Sequence, residues 1–505
     1  MTAPAWAPHL PAGTSADEVD LLARGTLPKA WAATWASDPS SPVLLGPQGS
    51  WVMTGVELED ATRRVAGRLI RAGLTPGDRM LFSAASSPQL VVAHVAALRA
   101  GIVVVPANTA YREREIGHIV TDARPRAALV DDDARACWVQ AAAEGKTIIV
   151  GPEVRLPDGQ PEELDTAKPD EPALIGYTSG TTGQPKGAVL SHANLLAGSE
   201  SVALAWRWTA ADRLILALPL FHAHGLCVGL HGTLLAGASA VLLGSFDVDA
   251  VLDAATEHQA SLFFGVPTMY HRLAASARAN ELARLRLCVS GSAPLPAELH
   301  QVLAERAGQQ VLERYGMTET LMLVSNPYDG ERRPGSVGLP LPGVEVRLDG
   351  DGDEDRGEGE IEVRGPNVFA GYWERPEATA ESFTDDWFRT GDLGRLDPDG
   401  YLRILGRSKE LIISGGLNVY PREVEEVLLG HPDVAEVAVI GAPSEEWGEI
   451  VTAYVVPAGK RRAAAPLAAH AAEQLAPFKR PKVIHFVDSL PRNALGKVVK
   501  HELTA

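Results

Sequence analysis

Cysteine is scarce: Cys137, Cys227 and Cys288 stand far apart in a chain of 505 residues, with no CxxC pair and no His/Cys spacing of the zinc-binding kind. That excludes a disulfide-stapled fold, and each thiol reads as a small buried hydrophobe in a reducing cytoplasm. Positive charge is in deficit as well. Lys and Arg number 46 against 64 Asp and Glu, a formal net charge of -18. This is the wrong sign for a nucleic-acid surface, which is held mainly by basic side chains. One anionic nucleotide remains within reach of a few local donors. Long apolar runs are also missing. The most apolar stretch, 221–244, contains three histidines and five glycines, whereas a membrane-spanning helix needs about 20 continuous apolar residues. It reads as buried sheet and helix. The start, Met1-Thr2-Ala3-Pro4-Ala5-Trp6, has no basic segment leading into an apolar core, so no secretory signal is expected. Internal repeats and low-complexity blocks are absent too.

What is present is an alternation of helix-period and strand-period segments. A helix is expected at 27–35, and Val56, Leu58, Ala61, Val65, Leu69 and Ile70 fit an amphipathic one that Gly73 ends. After the turn Pro76-Gly77-Asp78, strands at 79–83, 101–106, 127–130 and 147–150 alternate with helices such as 89–99. Continuous apolar strands between helices predict a parallel sheet covered on both faces. The acidic, Gly-rich segment 349–359 reads as an exposed turn. Beyond Leu411 the pattern restarts: a helix opening at Pro421, strands at 434–440 and 451–456, an Ala-rich helix and a last strand at 482–487 form a small α+β unit.

Between these lies Tyr177-Thr178-Ser179-Gly180-Thr181-Thr182-Gly183-Gln184-Pro185-Lys186-Gly187, leaving the apolar run Ala173-Leu174-Ile175-Gly176. Glycines admit a bulky anion close to the backbone, hydroxyls donate to it, and successive N–H groups of such a loop form an anion nest. It reads as a nucleotide phosphate loop. It is not the P-loop, because Lys186 is followed by Gly187 and not by Ser or Thr. The string resembles the signature of the adenylate-forming superfamily, which includes acyl-CoA synthetases, stand-alone adenylation domains and beetle luciferases. The resemblance implies that Thr178, Ser179, Gly180, Thr181, Thr182, Gly183 and Lys186 hold the phosphates of ATP while a carboxylate attacks the α-phosphorus.

Further strings follow in the family's order. Pro219-Leu220-Phe221-His222-Ala223-His224-Gly225 ends a strand, and His222 matches the family histidine beside the acyl carboxylate and α-phosphate. By the same resemblance Ala223, Gly265, Ser290, Gly291, Met317 and Met322 border the acid. Ser292, Ala293 and Pro294 wall the adenine pocket. In Glu313-Arg314-Tyr315-Gly316-Met317-Thr318-Glu319, Tyr315 offers a ring to a purine, Thr318 a hydroxyl to phosphate and Glu319 a carboxylate to Mg²⁺. Glu313, Arg314 and Gly316 complete the nucleotide contacts. Asp392, within Thr390-Gly391-Asp392, and Arg407 match the ribose contacts. Lys409 falls at the family's hinge, Gly415 and Gly416 at the thiol tunnel. Lys497, in Pro491-Arg492-Asn493-Ala494-Leu495-Gly496-Lys497, is the lysine that contacts carboxylate and α-phosphate during adenylation.

The resemblance implies a large N-terminal domain (1–408) of parallel-rich sheets covered by helices, with a small mobile C-terminal α+β domain (409–505). It also implies an acyl-CoA synthetase using ATP, Mg²⁺ and coenzyme A, with a cytoplasmic location. A stand-alone enzyme loading a carrier protein, and a nucleotide-binding protein without catalysis, are the rival readings. A dicarboxylic acid would need a buried cation, for which Arg286 and Arg272 are the candidates; a long, aromatic or polycyclic acid would need only an apolar pocket.

Overall fold

The computed structural model describes residues 4–161, 163–178, 185–349, 357–414, 417–444, 447–459, 463–492 and 497–503. They form two compact units, one of Met1–Val346 with Val363–Phe388, the other of Arg347–Glu362 with Arg389–Ala505.

Two sheets organise the larger unit. One runs, in spatial order, Gly371–Tyr372, Lys186–Ser191, Pro172–Thr178, Val103–Pro106, Arg79–Ser83, Ala127–Val130 and Ile148–Val150. Its strands from Pro172–Thr178 onward are parallel, and the two at the other end are antiparallel. The second sheet has a parallel centre, Leu312–Met317, Leu287–Ser290, Leu262–Gly265, Arg213–Leu216, Ser239–Leu242 and Pro42–Leu45. Antiparallel strands finish it at both edges. Central strands such as Leu287–Ser290 and Leu262–Gly265 are buried throughout, which is why they read as unbroken apolar runs. Phe263, Tyr270, Leu273, Cys288 and Leu303 form the core under one face of that sheet. Cys137, expected inside, is exposed on helix Asp133–Ala142; that helix buries Val139 and turns Cys137 outward.

Parallel strands bring their C-terminal ends to one rim, and ligands of such sheets bind outside that rim. The residues following Arg213–Leu216, Leu262–Gly265 and Leu287–Ser290 therefore share one edge.

In the smaller unit, strand Trp387–Leu396 pairs antiparallel with Leu402–Arg407, setting Asp392 opposite Arg407. Beyond it, strands Val434–Ser444 and Gly448–Pro457 make a long antiparallel pair, joined by Ile412–Ser414 and Val483–Phe486. Helices Pro421–Leu429 and Ala464–Gln474 bury Val424, Leu428, Leu467 and Ala471 against this sheet. Arg422 donates to Ile404 O at 2.8 Å and Tyr420 to Glu358 at 3.3 Å. These bonds explain why compactness groups residues 389–408 with the C-terminal elements. The segment 350–356, within the expected acidic turn, lies outside the described residues.

Candidate active site

The phosphate-loop string joins two antiparallel strands, with Thr178 opposite Lys186. Its residues Ser179, Gly180, Thr181, Thr182 and Gly183 lie outside the described residues. The stems are described. Thr178 Oγ1 donates to Glu319 Oε1 at 3.2 Å, and the Tyr372 hydroxyl donates to the same oxygen at 3.2 Å. Lys186 Nζ stands 5.2 Å from the centre of the Tyr372 ring. Thr318 packs on Gly176 so closely that a Cβ there would lie 2.4 Å from its methyl group. Thr178, Lys186 and Glu319 are thus brought together around Tyr372, and Thr318 lies against Gly176 on the strand that ends at Thr178. Tyr372 was not anticipated; its only signal is a Gly-Tyr-Trp triplet in an aromatic-poor chain. Among the described residues no three His, Cys, Asp or Glu side chains are grouped to hold a metal. The buried Glu319 beside the loop stems suits Mg²⁺, which takes one or two carboxylates and fills its shell with phosphate oxygens and water.

The shared rim of the second sheet carries a different chemistry. Strand Arg213–Leu216 ends ahead of Pro219, and a wide helical turn, His224–Leu230, begins after His222. Only glycine fits at Gly225, where a Cβ would stand 2.4 Å from Pro219 O. His222 Nδ1 accepts from His224 N at 3.2 Å, so the proton of a neutral His222 belongs on Nε2. Burial, followed by the charge of Arg314, lowers the His222 pKa to about 4. His224 is held well below its ordinary value for the same reasons, and lies 3.5 Å from Ser292 Oγ.

Arg314 is the unusual member. It is 4% exposed, and its Nε and Nη2 have no hydrogen-bond partner. Burial depresses its pKa to about 9. Its guanidinium lies under Gly291, where a Cβ would come within 2.3 Å of Cζ. Buried Ser290 Oγ and His224 Nε2 are also without partners. A buried guanidinium with two unpartnered nitrogens is costly to take out of water. It suits an anion. Arg286 and Arg272 do not fill this place: Arg286 is ion-paired with Asp212 at 2.6 Å, and Arg272 lies over Phe246 at 5.0 Å.

The rest of the wall follows from one irregular hairpin. Strand Leu312–Met317 pairs with Leu321–Ser325 through a register shift between Tyr315 and Gly316. A Cβ at Gly316 would stand 1.9 Å from Leu321 O. This bulge sets where Tyr315, Met317 and the buried Met322 fall. Glu313 Oε1 accepts from Leu295 N at 3.0 Å, fixing the turn that carries Ser292, Ala293 and Pro294. Ser292 has a φ of 68°, a left-handed conformation that non-glycine residues adopt mainly under constraint. Gly265 and Ala223 border the same rim.

In the smaller unit Arg407 Nε is 2.7 Å from Asp392 Oδ1, with Asp392 N held by Thr390 Oγ1 at 3.1 Å. Burial and Arg407 lower the Lys497 pKa, opposed by Asp392 and Glu410. Lys409 is exposed on the short helix Ser408–Glu410. Gly415 and Gly416 lie outside the described residues.

A parallel-rich α/β body with Lys186, Thr178 and the Glu319 carboxylate at the stems of a Gly/Thr-rich string, and a carboxylate–arginine pair in a second unit, fits a nucleotide-dependent acid-activating enzyme. Comparison with known proteins agrees. Residues 31–373 match the model of the AMP-binding enzyme family and 423–497 that of the AMP-binding enzyme C-terminal domain. The chain belongs to this family. Feruloyl-CoA synthase of an Amycolatopsis species is 40% identical over 90% of this chain and 94% of its own. Malonate–CoA ligase of Arabidopsis thaliana is 37% identical over 85% and 78%. The crystal structure of ATP-bound MatB from Rhodopseudomonas palustris is 41% identical with a TM-score of 0.88, covering 94% and 98%. The protein is an AMP-forming acid–thiol ligase that uses ATP, Mg²⁺ and CoA and proceeds through an acyl-adenylate. Among the described residues no helix is long and apolar enough to cross a membrane.

Proposed function

We propose that the acid activated by this ligase carries a second negatively charged group, as a short dicarboxylic acid does, and that Arg314 receives it. The carrying observation is the buried guanidinium with two unpartnered nitrogens beside His222 and Ser290. A carboxylate placed there pairs with the guanidinium and supplies the missing acceptors in one step. The likeness to a malonate–CoA ligase supports this reading; the likeness to a feruloyl-CoA synthase favours a monocarboxylic aryl acid.

In this reading Thr178, Lys186 and Thr318 hold the triphosphate of ATP, and Glu319 holds Mg²⁺, whose charge offsets that of the phosphates. Tyr315, Gly316, Glu313, Ser292, Ala293 and Pro294 border the adenine, while Asp392 and Arg407 take the ribose hydroxyls. The reacting carboxylate lies by His222, Ala223, Gly265, Gly291, Met317 and Met322. Neutral His222 has a proton on Nε2 to donate to a carboxylate or phosphate oxygen. Lys497 neutralises the two anions as they join, an oriented-charge effect whose removal costs on the order of 10²–10³ in rate. The domain 409–505 then swings about Lys409, withdrawing Lys497 and bringing Gly415 and Gly416 to the CoA thiol. We take the acceptor to be CoA and not a carrier protein, and the location to be the cytoplasm; three cysteines without a disulfide support the latter.

A panel of mono- and dicarboxylic acids of matched length, scored by AMP release with CoA present, tests the assignment. Short diacids are expected to exceed their monoacid counterparts by on the order of 10²-fold in kcat/KM, as pairing a buried charge contributes about 2–5 kcal/mol. A uniform preference for alkyl or aryl monoacids would sink it. Replacing CoA by a phosphopantetheinyl carrier in the same assay separates the two acceptors.

A further inference from the structure

We propose, on the reading that Thr178 and Lys186 grip ATP, that helix Glu113–Ala123 positions these two residues, through His118 acting on the strand that begins at Lys186 and Asp122 acting on the strand that ends at Thr178. His118 and Asp122 lie one turn apart on one helix face, and no sequence motif marks either. His118 Nε2 is 2.8 Å from Pro185 O, the carbonyl immediately before Lys186. Its ring meets Tyr177 edge-on at 6.0 Å. Tyr177, next to Thr178 on the outgoing strand, donates its hydroxyl to Asp122 Oδ2 at 2.7 Å. Asp122 is fixed in turn by Arg375 at 2.5 Å, and its carbonyl accepts from Trp373 Nε1 at 3.3 Å. Trp373 N donates to Gly187 O at 2.7 Å. Both strands flanking the loop are therefore tied to one helix, on residues adjacent to Thr178 and Lys186.

The physical reason for such a clamp is conformational entropy. A side chain already held in place loses less freedom when it grips an anion than one that must first be ordered. Fixing both stems before ATP arrives removes part of that cost and strengthens binding without touching the chemistry. Because the bonds of His118 and Asp122 run to the strands that carry Thr178 and Lys186, the effect belongs to ATP.

The test compares His118→Phe, which keeps a ring against Tyr177 but has no donor, with His118→Gln, whose amide nitrogen replaces Nε2. His118→Phe is expected to raise KM for ATP, and the Kd of α,β-methylene-ATP, by about three- to tenfold, the value of one hydrogen bond. KM for the acid and for CoA, and kcat, should stay at native values, and His118→Gln should return ATP affinity to within about twofold. Tyr177→Phe, which breaks the link to Asp122 without altering the core, should show the same ATP-selective loss. Native ATP affinity in both Phe variants overturns the proposal. So does a parallel rise in all three KM values with a lowered Tm that Gln does not rescue, which is what a merely structural histidine gives.

Discussion

Arg314 sets stability against function within one side chain. Taking a guanidinium out of water without a partner is among the most expensive things a fold does, and here the neighbouring Ser290 and His224 atoms leave it uncompensated. Arg314→Met replaces the charge with an apolar chain of similar length. The expected result is an unchanged or raised Tm, by analogy with buried ionic groups whose hydrophobic replacement is neutral or stabilising by about 1–4 kcal/mol. Turnover of the diacid should fall by on the order of 10²-fold or more while KM for ATP is kept. Thermal melts with steady-state kinetics on both substrates check this. A strong loss of stability would mean that Arg314 is paired in the free enzyme, and unchanged diacid turnover would remove it from the acid site.

At the level of elements, the decisive piece is the hairpin of Leu312–Met317 and Leu321–Ser325, whose irregularity carries the motif. Gly316→Ala pushes a methyl group toward Leu321 O at 1.9 Å, a backbone atom that cannot move aside alone. It should cost on the order of 2–4 kcal/mol, or abolish soluble folding. Urea unfolding of the variant measures it, and a native midpoint would show that the bulge is not needed. The sequence made Tyr315, Thr318 and Glu319 legible as a group because their chemistry is written in residue types. It did not disclose the bulge, since two strands out of register look the same in one dimension as two in register. The same limit explains Arg286 and Arg314. Arg286 stands between two leucines and Arg314 between Glu313 and Tyr315, contexts that name no partner, and only the fold shows that Asp212 claims Arg286 while Arg314 keeps open nitrogens. Tyr372 and His118 were unreadable for a related reason: each is hydrogen-bonded to a partner more than fifty residues away. The parallel strands, by contrast, were plain, because burial on both faces leaves an unbroken apolar run.

For the whole molecule, the proposed role of Lys497 makes the smaller unit the source of the cation on which the first half-reaction turns, and on that reading the two halves of catalysis should respond differently to its loss. Lys497→Ala is expected to lower acid-dependent pyrophosphate exchange by on the order of 10²–10³-fold while largely sparing thioester formation from a supplied acyl-adenylate. Equal loss of both steps would contradict the role given to Lys497. The pH dependence carries a second signature. Burial and Arg407 lower the lysine's pKa below 10.5, so its ammonium is discharged earlier than that of a free lysine as pH rises. Since the charged form is the one that neutralises carboxylate and phosphate, adenylation should decline on the alkaline side at a pH below 10.5. Transfer to CoA from supplied adenylate has no such limb, because it uses a thiolate that becomes more abundant as pH increases. Measuring pyrophosphate exchange and thioester formation across pH 7–10.5, at constant ionic strength, separates the two curves. If they fell together, the alkaline loss would belong to the fold as a whole, and Lys497 would not be the group that titrates.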